Sequence, residues 1–156
     1  MRTFGQVPTK VWRDKRFRAL TDETKLAFLS LWCGPDSVSA GVMRLEDGYA
    51  ALALDWSIPK WQIACTALEL EGLIKRNADT DEILICGFFE VNRPANDRAR
   101  AAVAKQIDSI ECETLRQEAE TAFRAVLPEN KIPAEPKAGA WPVSAAGSLL
   151  RGANGR

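Results

Sequence analysis

Histidine is absent from the 156 residues. That absence removes the side chain most often used as general base, triad member or metal-binding imidazole. A cysteine nucleophile would then need another base, and no arrangement in the sequence suggests one. There is no G-x-x-x-x-G-K-[ST] phosphate loop and no pair of carboxylates at a convincing spacing, so no catalytic residue is expected and the chain is not read as an enzyme. Close cysteine pairs are missing too. Cys33, Cys65, Cys86 and Cys112 are widely spaced with no C-x-x-C among them. Without histidine a zinc site would need all four thiolates to converge. Neither a metal nor a cofactor is expected, and the cysteines are read as reduced. No apolar run approaches the roughly 18 residues of a membrane span, so no membrane partner is expected. Met1-Arg2-Thr3-Phe4-Gly5 leads into no hydrophobic segment, which argues against a signal peptide and for the cytoplasm.

Net charge is also missing: 21 basic residues balance 21 acidic ones, so no global field favours nucleic acid. The charges are unevenly placed. Met1 to Leu20 carries Arg2, Lys10, Arg13, Lys15, Arg16 and Arg18 against Asp14 alone. Arg93, Arg98, Arg100 and Lys105 form a second basic cluster, while acid gathers in Glu111, Glu113, Glu118 and Glu120. What is present in quantity is apolar material, 46% of the chain with five tryptophans and six phenylalanines, enough to build a core.

The most informative stretch is Ser57 to Phe89, SIPKWQIACTALELEGLIKRNADTDEILICGFF. Ser57 is placed to cap a helix and Pro59 sits in its first turn, where a missing N–H costs nothing. Trp61, Ala64, Cys65 and Leu68 recur at i, i+3, i+4 and i+7, one buried face, and Gly72 ends the helix. Leu73 to Arg76 and Glu82 to Cys86 are short β-prone runs joined by a polar loop from Asn77 to Asp81, which predicts a hairpin.

Upstream, the first 20 residues read as an extended basic arm with a short helical turn near Trp12 to Phe17, pinned by Val7, Trp12 and Phe17. A helix is expected over Asp22 to Trp32, capped by Thr21, with Leu26, Phe28, Leu29 and Trp32 inward. Gly41 to Leu45 is a strand candidate, a third partner for the hairpin. Glu46 to Leu54 is the next helix, with Tyr49, Ala50, Leu52 and Ala53 as candidates for its packed side. Asp55-Trp56-Ser57 then makes a helix-turn-helix. Trp56 and Trp61 are read as core rather than as a stacking platform.

Downstream, Phe88 and Phe89 anchor the chain, and a helical region starts at Asn92 to Asn96. Ala99, Val103, Ile107 and Ile110, then Leu115, Ala119, Ala122, Phe123 and Val126, keep helical spacing. The register breaks near Glu111 to Glu113. Thr114 with Gln117 three residues on has the form of a capping box for the second helix. The expected fold is mainly α with a small antiparallel β-sheet. Its expected parts are an arm over 1–20, a winged helix over 21–91, C-terminal helices over 92–127 and a disordered tail over 128–156, with Trp141 and Leu149-Leu150 as a short docking motif in the tail.

Several phrases taken in order resemble the N-terminal winged-helix domain of phage and prophage replication proteins. They are Val7-Pro8-Thr9 followed by Trp12; Leu20-Thr21-Asp22 with Lys25-Leu26; Gly41-Val42; Asp55-Trp56-Ser57; Ala67-Leu68 with Glu71-Gly72-Leu73-Ile74; and Phe88-Phe89 followed by Asn92-Arg93-Pro94. The resemblance runs from about Phe4 to Ile110. It implies binding to double-stranded DNA, in replication initiation or transcriptional regulation, with the second helix of the helix-turn-helix in the major groove. Ser57, Lys60, Gln62, Ile63 and Thr66 would then face the groove, Gln62 toward an adenine edge, Thr66 toward a thymine methyl or a phosphate, and Lys60 toward a phosphate or a guanine. Lys75 and Arg76, with Arg13, Lys15, Arg16 and Arg18, would contact phosphates. A homodimer through the helices after Asn96 fits this reading. The alternative is a winged helix that has become a protein-binding adaptor or inhibitor, using the acidic wing and the apolar Ile63 and Leu70.

Overall fold

A computed structural model gives the structure of the chain and describes residues 5–128. The arm is folded. A 3-10 turn, Thr9–Arg13, leads into the short helix α1, Lys15–Ala19, whose cap Asp14 accepts the Arg16 N–H at 2.9 Å. Phe17 is buried as expected and Val7 is half-buried, but Trp12 is exposed and its ring stands edge-on to Phe17 at 5.4 Å. Val11 is the buried residue of that turn, because Trp12 covers Phe17 from outside instead of entering the core.

Helix α2, Asp22–Cys33, starts where Thr21 accepts the Thr24 N–H at 3.2 Å. Its buried stripe is Thr24, Ala27, Phe28, Leu31 and Trp32. Leu26 is exposed and Leu29 only half-buried, since both lie off this i, i+3, i+4, i+7 line. Strand β1, Val42–Arg44, follows and pairs antiparallel with β3, Glu82–Ile85. Just before it, Gly41 sits at a φ of +69°, where a Cβ would lie 2.5 Å from the Phe88 ring. A side chain there meets both backbone strain and a steric clash.

Helix α3, Asp47–Ala53, buries Ala50 and Ala51. Tyr49 and Leu52, expected on the packed side, are 66% and 70% exposed, and Ala53 is exposed as well. The face that meets the next helix is the small one, which lets the two helices approach closely. Asp55, in the left-handed region at φ 54°, and the Trp56 N–H bonded to Ala51 O at 2.9 Å make the turn. Helix α4, Ile58–Leu70, buries Trp61, Ala64, Cys65 and Leu68 as the spacing predicts. Ser57 caps it and Gly72, at φ +66°, closes it.

Strand β2, Ile74–Asn77, pairs antiparallel with β3, giving a three-stranded sheet in the order β1-β3-β2. The wing loop is held by Asn77, whose side-chain oxygen accepts the N–H groups of Asp79 and Thr80, each at 3.0 Å. Helix, strand, helix-turn-helix and hairpin thus stand in the winged-helix order, and the fold is mainly helical with one small antiparallel sheet.

After the hairpin come the short helix α5, Phe88–Val91, then α6, Asp97–Asp108, and α7, Glu113–Ala125. A chain of ring contacts 5.2 to 6.0 Å apart runs Phe17, Phe28, Trp32, Phe88, Phe89, Phe123. It welds the arm, α2, α5 and α7 into one core. Val103, Ile107, Ile110, Leu115, Ala119 and Phe123 are buried, whereas Ala122 is exposed and Ala99 and Val126 are half-buried. Thr114 does not cap α7. The helix begins one residue earlier, and the Glu82 carboxylate instead takes the N–H groups of Glu111 and Cys112, each at 2.8 Å. The compact unit ends at Val126. The expected docking motif at Trp141 and Leu149-Leu150 lies outside the described residues.

Candidate nucleic-acid interface

Helix α4 turns its buried stripe inward, so its opposite face is the one available to a ligand. At 100° per residue that outward face carries Pro59, Ile63, Thr66 and Leu70. Ile63 is 72% and Leu70 83% exposed. Thr66 donates its hydroxyl to Gln62 O at 2.9 Å, back onto its own helix. The Ser57 hydroxyl is used as the cap, accepting the Lys60 N–H at 3.4 Å. The Lys60 ammonium stands 4.5 Å above the Trp56 ring, a cation–π contact. Trp61 is fully buried and donates its indole N–H to Asp47 at 2.9 Å, so it offers no stacking surface. Gln62 donates to the other oxygen of the same carboxylate at 2.8 Å.

The two basic residues of the wing point apart, as neighbours on a strand must. Lys75 reaches α7, its ammonium 2.6 Å from Glu118, and that carboxylate raises the Lys75 pKa above its usual value. Arg76 reaches α4 instead, with Nε and Nη2 at 3.0 and 2.9 Å from Glu69 and Nη1 at 3.8 Å from Asp47. Both cations are therefore engaged within the chain.

The arm is different. Arg16 holds Asp14 at 2.9 Å and sends Nη1 toward Gly72 O at 3.4 Å, which fixes the arm beside the C-terminal end of α4. The Arg16 side-chain hydrogen bond keeps the Asp14 carboxyl below its usual pKa. Arg13, Lys15 and Arg18 are exposed, and among the described residues none is in an ion pair. A cleft of about 500 Å³ between arm and body is lined by Lys10, Arg13 and Arg16 together with Trp32 and Cys86. Lys60 lies at the other end of α4, whose 13 residues span about 20 Å.

The eleven expected contact residues thus divide into a trio on the arm with no ion pair among the described residues, Lys60 on its ring, the exposed apolar Ile63, and six side chains already bonded inside the protein. Asp47, Glu69 and Glu118 do much of this bonding, and the sequence did not mark any of them as a partner for these side chains. Asp47 stands in the first turn of α3, a common place for an acid beside a helix N-terminus, so nothing in the sequence marks it as a ligand for Trp61 and Gln62.

Among the described residues no group of three or more His, Cys, Asp or Glu side chains is arranged to hold a metal, and no helix is long and apolar enough to cross a membrane. The cysteines have distinct environments. Burial pushes the Cys65 thiol up to about 12 and raises that of Cys86, while the Thr114 hydroxyl holds Cys112 below its ordinary value. Because the thiolate is the reactive form, iodoacetamide at pH 8 is expected to modify Cys112 ahead of Cys86. Cys65 is expected to react only after unfolding. Peptide mass mapping against time checks the order, and early labelling of Cys65 in folded protein overturns it.

Comparison with known proteins found no matching family model, no matching curated protein and no matching solved structure.

Proposed function

We propose that the chain is a cytoplasmic winged-helix DNA-binding module of the phage replication type, holding duplex DNA by its phosphates more than by its bases. One observation carries this reading: Arg13, Lys15 and Arg18 are exposed and, among the described residues, in no ion pair, on short elements that the buried Val11 and Phe17 anchor to the core. Cations held in place this way lose less freedom on meeting a phosphate than they would on a trailing arm. Lys60 adds a contact at the far end of α4, and the helix between them is longer than the roughly 12 Å width of a major groove, so the two ends suit phosphates on either side of it. Base recognition is expected to be weak, because Gln62 and Thr66 already have partners.

Fluorescence anisotropy of a labelled random duplex, titrated between low and moderate salt, tests the reading. Binding is expected with a log–log salt slope of about 0.9 per phosphate, and the combined Arg13→Ala, Lys15→Ala, Arg18→Ala variant is expected to lose about 2.7 of that slope and at least about tenfold in affinity at low salt. No binding at low salt, or a slope that the triple variant leaves unchanged, sinks it.

A further inference from the structure

The outward face of α4 is poorly suited to phosphate. Along some 16 Å of helix it carries Pro59, Ile63, Thr66 and Leu70, without a charge, and its one hydroxyl is already bonded. Ile63 and Leu70 lie two turns apart and rank among the most exposed large apolar side chains of the described residues. Beside this ridge, between α4, α3 and the wing, lies a cleft of about 280 Å³. Its charged lining is Asp47, Glu69, Asp81 and Glu82 against Arg76 alone. Asp79 and Glu71 add further acid at the wing tip and at the end of α4. An apolar ridge bordered by acid repels nucleic acid and fits a surface that is apolar at its centre and positive at its edge.

We infer that this ridge and cleft dock a basic amphipathic helix of a partner protein, whose apolar side chains cover Ile63 and Leu70 and whose lysine or arginine enters the cleft toward Asp81. Two apolar side chains two turns apart on one helix give a partner helix with its own apolar stripe two contacts to pack against along its length. The docking uses none of the arm cations, so the inference does not depend on DNA binding. A duplex straddling α4 from the arm to Lys60 would cover the same face, so the partner helix and the duplex are expected to compete.

Two fluorescein-labelled synthetic helices of about 18 residues, long enough to hold their fold, test the inference on the full chain. One combines leucine with lysine and the other leucine with glutamate on the same leucine stripe. The leucine–lysine helix is expected to bind and to shift the Ile63 and Leu70 methyl signals in NMR spectra of the unmodified protein. Combined Ile63→Asp and Leu70→Asp is expected to weaken it about tenfold or more, as loss of interface anchors does. Asp81→Asn, which tolerates the left-handed backbone at that position, is expected to weaken the leucine–lysine helix about threefold. Equal binding of both helices, absence of methyl shifts at α4, or unchanged affinity in the double variant overturns the inference. So does a dimer in sedimentation that the double variant converts to monomer, since the ridge would then be covered by a second copy of the chain.

Discussion

Replacing Glu82 with alanine is expected to destabilise the protein by about 2–4 kcal/mol, a large part of the margin of a domain this size. Glu82 is 5% exposed, the start of β3, and its carboxylate is fully employed. One oxygen accepts the Glu111 N–H, and the other accepts the Cys112 N–H and the Thr80 hydroxyl at 2.9 Å. These amides belong to the turn between α6 and α7, where a helix begins with no capping side chain of its own. A charged acceptor at that point satisfies orphan N–H groups and opposes the positive end of the α7 dipole. Alanine removes the acceptor and leaves both donors poorly solvated. Glutamine keeps one accepting oxygen and is expected to cost about half as much, since a neutral amide makes weaker bonds than a carboxylate. Urea denaturation gives the stabilities, and hydrogen exchange at the Glu111 and Cys112 amides shows where the loss falls. A change below about 1 kcal/mol for alanine, with both amides still protected, means that the α6–α7 turn is held by something other than Glu82.

The sequence was legible where several local signals agreed. In α4 the Ser57 cap, Pro59, the 61-64-65-68 stripe and the Gly72 stop all pointed to one helix, and every one of those residues occupies its expected place. It misled where side-chain size was taken for orientation. Tyr49 and Leu52 are the large apolar residues of α3, but Ala50 and Ala51 are the ones it buries while the larger side chains face outward. The α7 start failed for a different reason: its acceptor, Glu82, lies 29 and 30 residues away from the amides it serves. Thr114 and Gln117 had the right spacing for a local box, and a distant carboxylate took the role instead. The site shows the same division. Lysine and arginine positions are visible in any sequence, but whether a cation is free depends on partners brought by the fold, as Glu118 is for Lys75 and Glu69 for Arg76. Among the described residues Arg13, Lys15 and Arg18 kept the freedom from ion pairs that composition suggested.

Trp61→Ala is expected to cost about 3–5 kcal/mol, the usual loss when a buried indole leaves a cavity, and to weaken the helix-turn-helix as a unit. Trp61 is fully buried, and its N–H, donated to Asp47, ties α4 to the first turn of α3. Trp61→Phe separates packing from bonding. It keeps most of the ring volume and deletes the donor, with an expected loss of about 1–3 kcal/mol. Since Asp47 keeps the Gln62 bond at its other oxygen and Arg76 nearby, part of the carboxylate's demand remains met. A double-mutant cycle of Trp61→Phe with Asp47→Ala is therefore expected to show a coupling of about 1 kcal/mol, and no coupling would mean the bond contributes nothing net. The same Phe variant also probes function. The arm cations are anchored through the buried Val11 and Phe17 and through Arg16 on Gly72 O, just past the end of α4, and not through Trp61 itself. While it stays folded, Trp61→Phe should lower the denaturation midpoint and leave the salt dependence of DNA binding unchanged. A collapse of that slope in folded Trp61→Phe protein would place the phosphate contacts on α4, with Lys60 rather than the arm as their centre.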